Sequence, residues 1–165
     1  MTVNNQKTSF RSIAGFLFWV GICFFVAWTA SLVTPEAVAS EWYRSLNKPV
    51  WNPPDWLFGP VWGLLYAFMG IAAWQVWRKF GFREAGIALF FFLVQLVLNG
   101  LWTQIFFGFR NPGLAFIEII FLLAAIFVSI ILFFQKDKLA GWLMVPYFLW
   151  VGFATALNGA IWMMN

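Results

Sequence analysis

Four groups of side chains carry the chemistry open to this sequence. Trp62 and Tyr66 stand four residues apart, on one face of a helix. Gln95, Asn99 and Thr103 recur at that spacing, flanked by Trp102 and Phe106. Trp150, Ala154 and Asn158 repeat it, with Leu157 adjacent. The fourth group runs from Trp42 to Pro60 and interleaves Trp42, Tyr43, Trp51 and Trp56 with Pro49, Pro53, Pro54 and Pro60, and with Arg44 and Lys48. Rings with a few amides suit recognition of an apolar molecule, in which the amides set orientation. They do not suit ordinary catalysis, because no acid–base or nucleophile pair accompanies them. Histidine is absent, which removes imidazole acid–base chemistry, catalytic triads and imidazole metal sites. Cys23 is the single cysteine, so neither an internal disulfide nor a thiolate cluster forms.

Each group has a plainer reading beside the functional one. Trp and Tyr collect at membrane interfaces as an aromatic belt. A belt needs neither the prolines nor the tight clustering, whereas a rigid lid over the mouth of a helix bundle uses both, since proline fixes φ and interrupts regular helix. The Gln95–Asn99–Thr103 stripe is either pocket lining or interhelical glue. Ala154 beside Trp150 leaves a gap next to a ring, which is either a pocket wall or simple packing. Gly59, Gly63 and Ala67, and likewise Gly152, Ala156 and Ala160, form small-residue stripes expected to support close helix packing. Pro146 is expected to kink the last helix and free the Trp142 carbonyl. Glu118, the one acid inside an apolar run, falls about 9 Å beyond Pro112 along a helix, and is expected to reach water near an interface; proton coupling is the alternative.

The elements that must position these groups are transmembrane helices. The chain of 165 residues is 63% hydrophobic and 10% charged, with 22 Phe and 12 Trp, far more apolar than a water-soluble fold of this size can cover. Charge-free stretches at 12–34, 57–77, 85–109, 111–135 (interrupted only by Glu118) and 139–165 each exceed the roughly 20 residues that cross a bilayer as helix. They do not alternate as barrel strands do. The expected fold is therefore an all-α integral membrane protein, one domain over 1–165, with a five-helix bundle and a long aromatic, proline-bearing first loop. Short links at 78–84, 110 and 136–138 make successive helices antiparallel neighbours. Lys7 and Arg11 before an apolar run, and Ala37-Val38-Ala39 after it, have the look of a secretory signal. The run exceeds the usual apolar core of about 7–15 residues, so it reads as an ordinary first span. Lys7, Arg11, Arg78, Lys79, Arg83, Lys136 and Lys138 fall on one side, and Arg44, Lys48 and Arg110 on the other. That bias predicts a cytoplasmic N-terminus and an outside C-terminus. The net charge of +4, scattered between apolar runs, leaves no nucleic-acid footprint.

Together these residues resemble a known family. Trp42-Tyr43, Leu46-Asn47-Lys48-Pro49, Trp51-Asn52-Pro53-Pro54 and Trp62-x-x-Leu65-Tyr66, followed by Gln95-x-x-x-Asn99-x-x-Trp102 with Phe106-Phe107-Gly108, and by Val145-Pro146-Tyr147 with Trp150-x-x-x-Ala154-x-x-Leu157-Asn158, are similar to the translocator protein or tryptophan-rich sensory protein (TspO/MBR) family in its bacterial form. The resemblance implies a five-helix bundle with a cavity under the first loop, commonly a homodimer. It implies protoporphyrin IX or a related tetrapyrrole as ligand with no required cofactor, and synthetic isoquinoline or benzodiazepine ligands. The implied pocket is Trp51, Pro53, Trp62, Tyr66, Asn99, Trp102, Thr103, Phe106, Trp150, Ala154 and Leu157, with Thr103 at a position that varies among members. The sterol element of animal members does not match, because Leu157 is followed by neither a Tyr nor a basic residue.

On this footing a porphyrin ring stacks among Trp51, Trp62 and Trp150, while Arg44 and Lys48 neutralise its carboxylates at the mouth. Without histidine, free-base porphyrin is favoured over axially ligated haem. A receptor or sensor that governs tetrapyrrole availability or a stress response is the leading expectation. Porphyrin transport and light-dependent porphyrin breakdown are the alternatives, and no inverted repeat supports the first of these. A small membrane subunit whose rings serve only packing is the reading outside the family.

Overall fold

A computed structural model describes the backbone of residues 2–165 and the side chains of residues 11–165; the Lys7 side chain used in the charge count lies outside them. The chain forms α1 (Thr2–Ser31), α2 (Thr34–Ala39), α3 (Glu41–Ser45), α4 (Asp55–Thr103), a π-helical turn (Gln104–Gly108), α5 (Pro112–Lys136) and α6 (Lys138–Met164). Among the described residues there is no strand. Four helices are long and apolar enough to cross a membrane, where the sequence predicts five spans.

The difference lies in α4. Its 49 residues take in the second and third expected spans and the link between them. Two helical arms meet there without an intervening loop at Gly81, whose φ of 62° and ψ of −173° leave the helical region. Only glycine adopts that geometry without strain. The bend folds α4 back on itself. Tyr66 and Asn99, which a straight helix would hold about 50 Å apart at 1.5 Å per residue, are hydrogen-bonded to each other.

Helix α1 packs on both arms of α4. Gly70 lets the backbones approach, since a Cβ there would come within 2.7 Å of Val20 Cα. The Trp74 indole donates to the Ser12 carbonyl at 2.9 Å, and Trp19 meets Phe92 of the second arm edge-on at 5.9 Å. Phe92 stacks on Phe133 of α5, and α5 pairs with α6 through Phe116 and Trp162.

Local chemistry explains the ends. Asn111 caps α5 by accepting from the Leu114 N–H, with Pro112 at the first helical position. Asp137 alone separates α5 from α6 and caps α6 through the Ala140 N–H. It also pairs with Lys79 from the bend of α4. The Lys79 contact, then the Ala140 and Leu139 N–H groups, hold its carboxyl below the usual range against the opposing effect of burial.

Other expectations need correction. The prolines do not keep the first connection free of helix. Trp42, Tyr43 and Arg44 lie in α3, capped by Ser40, and Pro60 sits inside α4. Pro60 is the sixth residue of α4, past the first turn, so the helix continues there without the bond that an N–H at this position would make to the Trp56 carbonyl. Glu118 does not reach water: it is 9% exposed, and both its oxygens lack a partner among the described residues. Its rise along α5 sets its depth, but its face of the helix turns it inward. The glycines of the two small-residue stripes make no close contact among the described residues, since a Cβ built at Gly59, Gly63 or Gly152 meets nothing within 4 Å.

Candidate ligand-binding site

Two layers of aromatic and polar side chains lie one above the other where the first connection meets α4 and α6. The inner layer is a hydrogen-bonded chain. Tyr66 donates to Asn99 Oδ1, and Asn99 Nδ2 donates to the Tyr147 hydroxyl at 3.1 Å. Trp62 covers it, with ring centroids 5.5 Å from Tyr66 and 6.1 Å from Tyr147. The i, i+4 pairing of Trp62 with Tyr66 therefore operates as the sequence implies. Gln95 is fully buried on the same stripe, yet its amide has no partner among the described residues.

The outer layer belongs to the connection and α6. The Trp51 ring contacts Phe153 at 5.7 Å, Phe153 contacts Trp150 at 5.6 Å, and Trp150 contacts Phe58 at 5.8 Å. Pro53 is half-buried, its carbonyl accepting from Asn52 Nδ2. The Trp150 indole nitrogen is buried without an acceptor among the described residues. Such a donor in a low-dielectric site favours a guest with a hydrogen-bond acceptor.

At one side Trp102 stacks on Phe106 at 5.2 Å, and its indole donates to Asn158 Oδ1 at 3.0 Å. Asn158 Nδ2 in turn donates to the Pro112 carbonyl at 2.8 Å, so one amide joins α4, α5 and α6. The π-helical turn puts Phe106 and Phe107 against Trp42 and Tyr43 of α3. Leu157 is buried in this cluster, while Ala154 packs at the edge of the main core. Thr103 is buried at the end of α4.

The two expected cations differ. Arg44 is exposed. Lys48 lies with Nζ 3.5 Å from the centre of the Tyr43 ring, a cation–π contact. Burial lowers its pKa, and the Asp55 charge works against that. Tyr43 donates to Asp55 Oδ1 at 3.3 Å; burial first, then the Asp55 charge and this bond, push its phenol up to about 12, so it stays a neutral donor at ordinary pH. The connection is also tied to the last residue described. The Asn47 N–H donates to Asn165 Oδ1 at 2.9 Å, and Asn165 Nδ2 donates to the Asn47 carbonyl at 3.0 Å.

The structure thus brings Trp62, Tyr66 and Asn99 together, Trp51 with Trp150 through Phe153, and Trp102 with Phe106. Tyr147, Phe58 and Phe153 join this cluster although they are not among the expected pocket residues. The helical spacing held the signal for two of them, since Tyr147 and Phe153 each lie three residues from Trp150. The π-helical turn has no counterpart in the apolar pattern.

A helical membrane protein with a buried aromatic and amide cluster under a proline-rich connection is the class these features define. The model of the TspO/MBR family matches residues 19–163. Tryptophan-rich protein TspO of Chlorobaculum tepidum is 39% identical over 150 residues, covering 88% of this chain and 92% of its own. Tryptophan-rich sensory protein of Cereibacter sphaeroides is 40% identical over 143 residues, covering 87% and 86%. Translocator protein of Homo sapiens is 40% identical over 127 residues, covering 76% and 75%. The chain belongs to the TspO/MBR family and is an integral membrane protein.

Proposed function

We propose that this protein is a membrane receptor or sensor for tetrapyrroles such as protoporphyrin IX, and for flat hydrophobic drug-like molecules. The site is the junction of the first connection with α4 and α6. One observation carries the reading: Trp51, Phe153, Trp150 and Phe58 form a continuous run of rings beside the unpartnered Trp150 indole N–H. These rings touch, so a flat guest enters by parting Trp51 from Phe153, and the 46% exposure of Trp51 makes it the movable wall. Ring stacking supplies the affinity, the Trp150 N–H an orienting donor, and Arg44 and Lys48 a positive mouth for carboxylates. Nothing in this arrangement activates a nucleophile, which favours binding over ordinary catalysis.

Two finer readings go with it. Taking the arms of α4 as separate crossings gives five spans. The cations at the α4 bend and the α5–α6 turn then support a cytoplasmic N-terminus and an outside C-terminus. The uncovered Gly59 and Gly63 stripe, and Gly152 with Ala156, supports contact with a second copy in a homodimer.

Titration of the purified protein with protoporphyrin IX should quench tryptophan fluorescence saturably. Trp150→Ala and Trp51→Ala should each weaken the affinity by roughly tenfold, within the 1–3 kcal/mol that a base–aromatic stack contributes. Unchanged affinity in both variants, with helical content intact, refutes the placement.

A further inference from the structure

A cleft of about 500 Å³ opens at the other end of the bundle, between α1 and the bend of α4. Phe18, Trp19, Trp77 and Phe82 form its apolar walls, and among the described residues Arg11 is the only charged one lining it. The wall depends on the α4 bend. Phe82 follows Gly81 directly, and its ring lies 6.2 Å from both Trp19 and Trp77. Phe18 and Phe82 are more than half exposed, so the cleft faces the surroundings of two membrane-crossing helices.

Two features decide what fits there. Arg11 lies 5.6 Å from the Trp77 ring, and among the described residues it takes part in no ion pair. Finally, this end carries Arg11, Arg78, Lys79, Arg83, Lys136 and Lys138 against only Glu84 and Asp137, and Lys79 is paired with Asp137. An occupant must therefore be apolar over most of its length and negative at one end.

We propose that this cleft binds one anionic phospholipid. An acyl chain lies against Phe18, Trp19, Trp77 and Phe82, and the phosphate pairs with Arg11. Basic sites at the membrane-facing end of helices hold such headgroups by charge, and the apolar cleft adds the selectivity for a lipid over a free anion. The site lies apart from the aromatic junction and does not rest on the tetrapyrrole reading.

Native mass spectrometry of the full chain in non-ionic detergent tests this, with phosphatidylglycerol and phosphatidylcholine of identical acyl chains. One phosphatidylglycerol should be retained preferentially, and Arg11→Gln should reduce its retention roughly fivefold, the equivalent of one basic residue near an anionic surface. Arg83→Gln, at the same end but outside the cleft, should leave it unchanged. Ala14→Trp, which fills the cleft, should remove both lipids, and glycerol phosphate without chains should not compete. Equal retention of the two lipids by the unaltered protein overturns the proposal. So does equal loss in Arg11→Gln and Arg83→Gln, which means diffuse surface attraction, or effective competition by glycerol phosphate, which means a soluble-anion site.

Discussion

Replacing Asn158 by Leu removes one amide from a junction of three helices while keeping the number of side-chain heavy atoms. Asn158 is 2% exposed; it accepts from Trp102 at 3.0 Å and donates to the Pro112 carbonyl at 2.8 Å. Interhelical hydrogen bonds in membrane proteins contribute about 0.6 kcal/mol on average and at most about 1.7 kcal/mol. Two such bonds give about 1.2 kcal/mol, with an upper bound of about 3.4 kcal/mol on the same figures. The Trp102 N–H is left without a partner, which favours the upper half of that interval. Unfolding in mixed micelles with rising SDS, followed by helical circular dichroism, reads the loss directly. Trp102→Phe breaks only the first bond and should cost about 0.6 kcal/mol. In the double variant that loss should vanish into the Asn158→Leu cost, leaving a coupling of similar size. A single-variant loss below about 0.3 kcal/mol, or no coupling with Trp102→Phe, would mean that this amide does not hold the helices together.

Two further outcomes follow from the same geometry. Gly81→Ala should destabilise the protein by about 1–3 kcal/mol, because φ of 62° with ψ of −173° is closed to a side chain, whereas Gly86→Ala, where a Cβ meets nothing within 4 Å, should be neutral or stabilising by up to about 1 kcal/mol in the same SDS unfolding. Asp137 has its pKa lowered from 3.8, so its contribution is present above that value and is lost as pH falls through the lower folded value. A melting-point titration should show this acid-side loss, at about 1 kcal/mol or less because Lys79 is 45% exposed, and Asp137→Asn should flatten it.

Composition and spacing made much of this molecule legible. A chain that is 63% hydrophobic must use lipid as solvent, and backbone groups in lipid must bond within helices. Spacing of four residues placed Trp62 on Tyr66 and turned Gln95 and Asn99 inward, because that interval returns to one helix face whatever the helix packs against. The motifs from Trp42 to Asn158 by themselves point to the TspO/MBR family.

What the sequence left open depends on which faces meet. Glycines at 59, 63 and 152 suit helix contacts but find none among the described residues, while Gly70 makes one with Val20. A small residue permits close approach without specifying a partner. Glu118 had its depth fixed by its distance from Pro112, yet only the packing of α5 turned it inward. The fold-back of α4 hangs on one dihedral pair at Gly81, and the stacking of Phe106 on Trp102 accompanies a π-helical turn that leaves no trace in the apolar pattern. Periodicity is a property of one helix and can be read along the chain; the cleft at Arg11 and the ring contacts at Trp150 arise between helices and exist only after they pack.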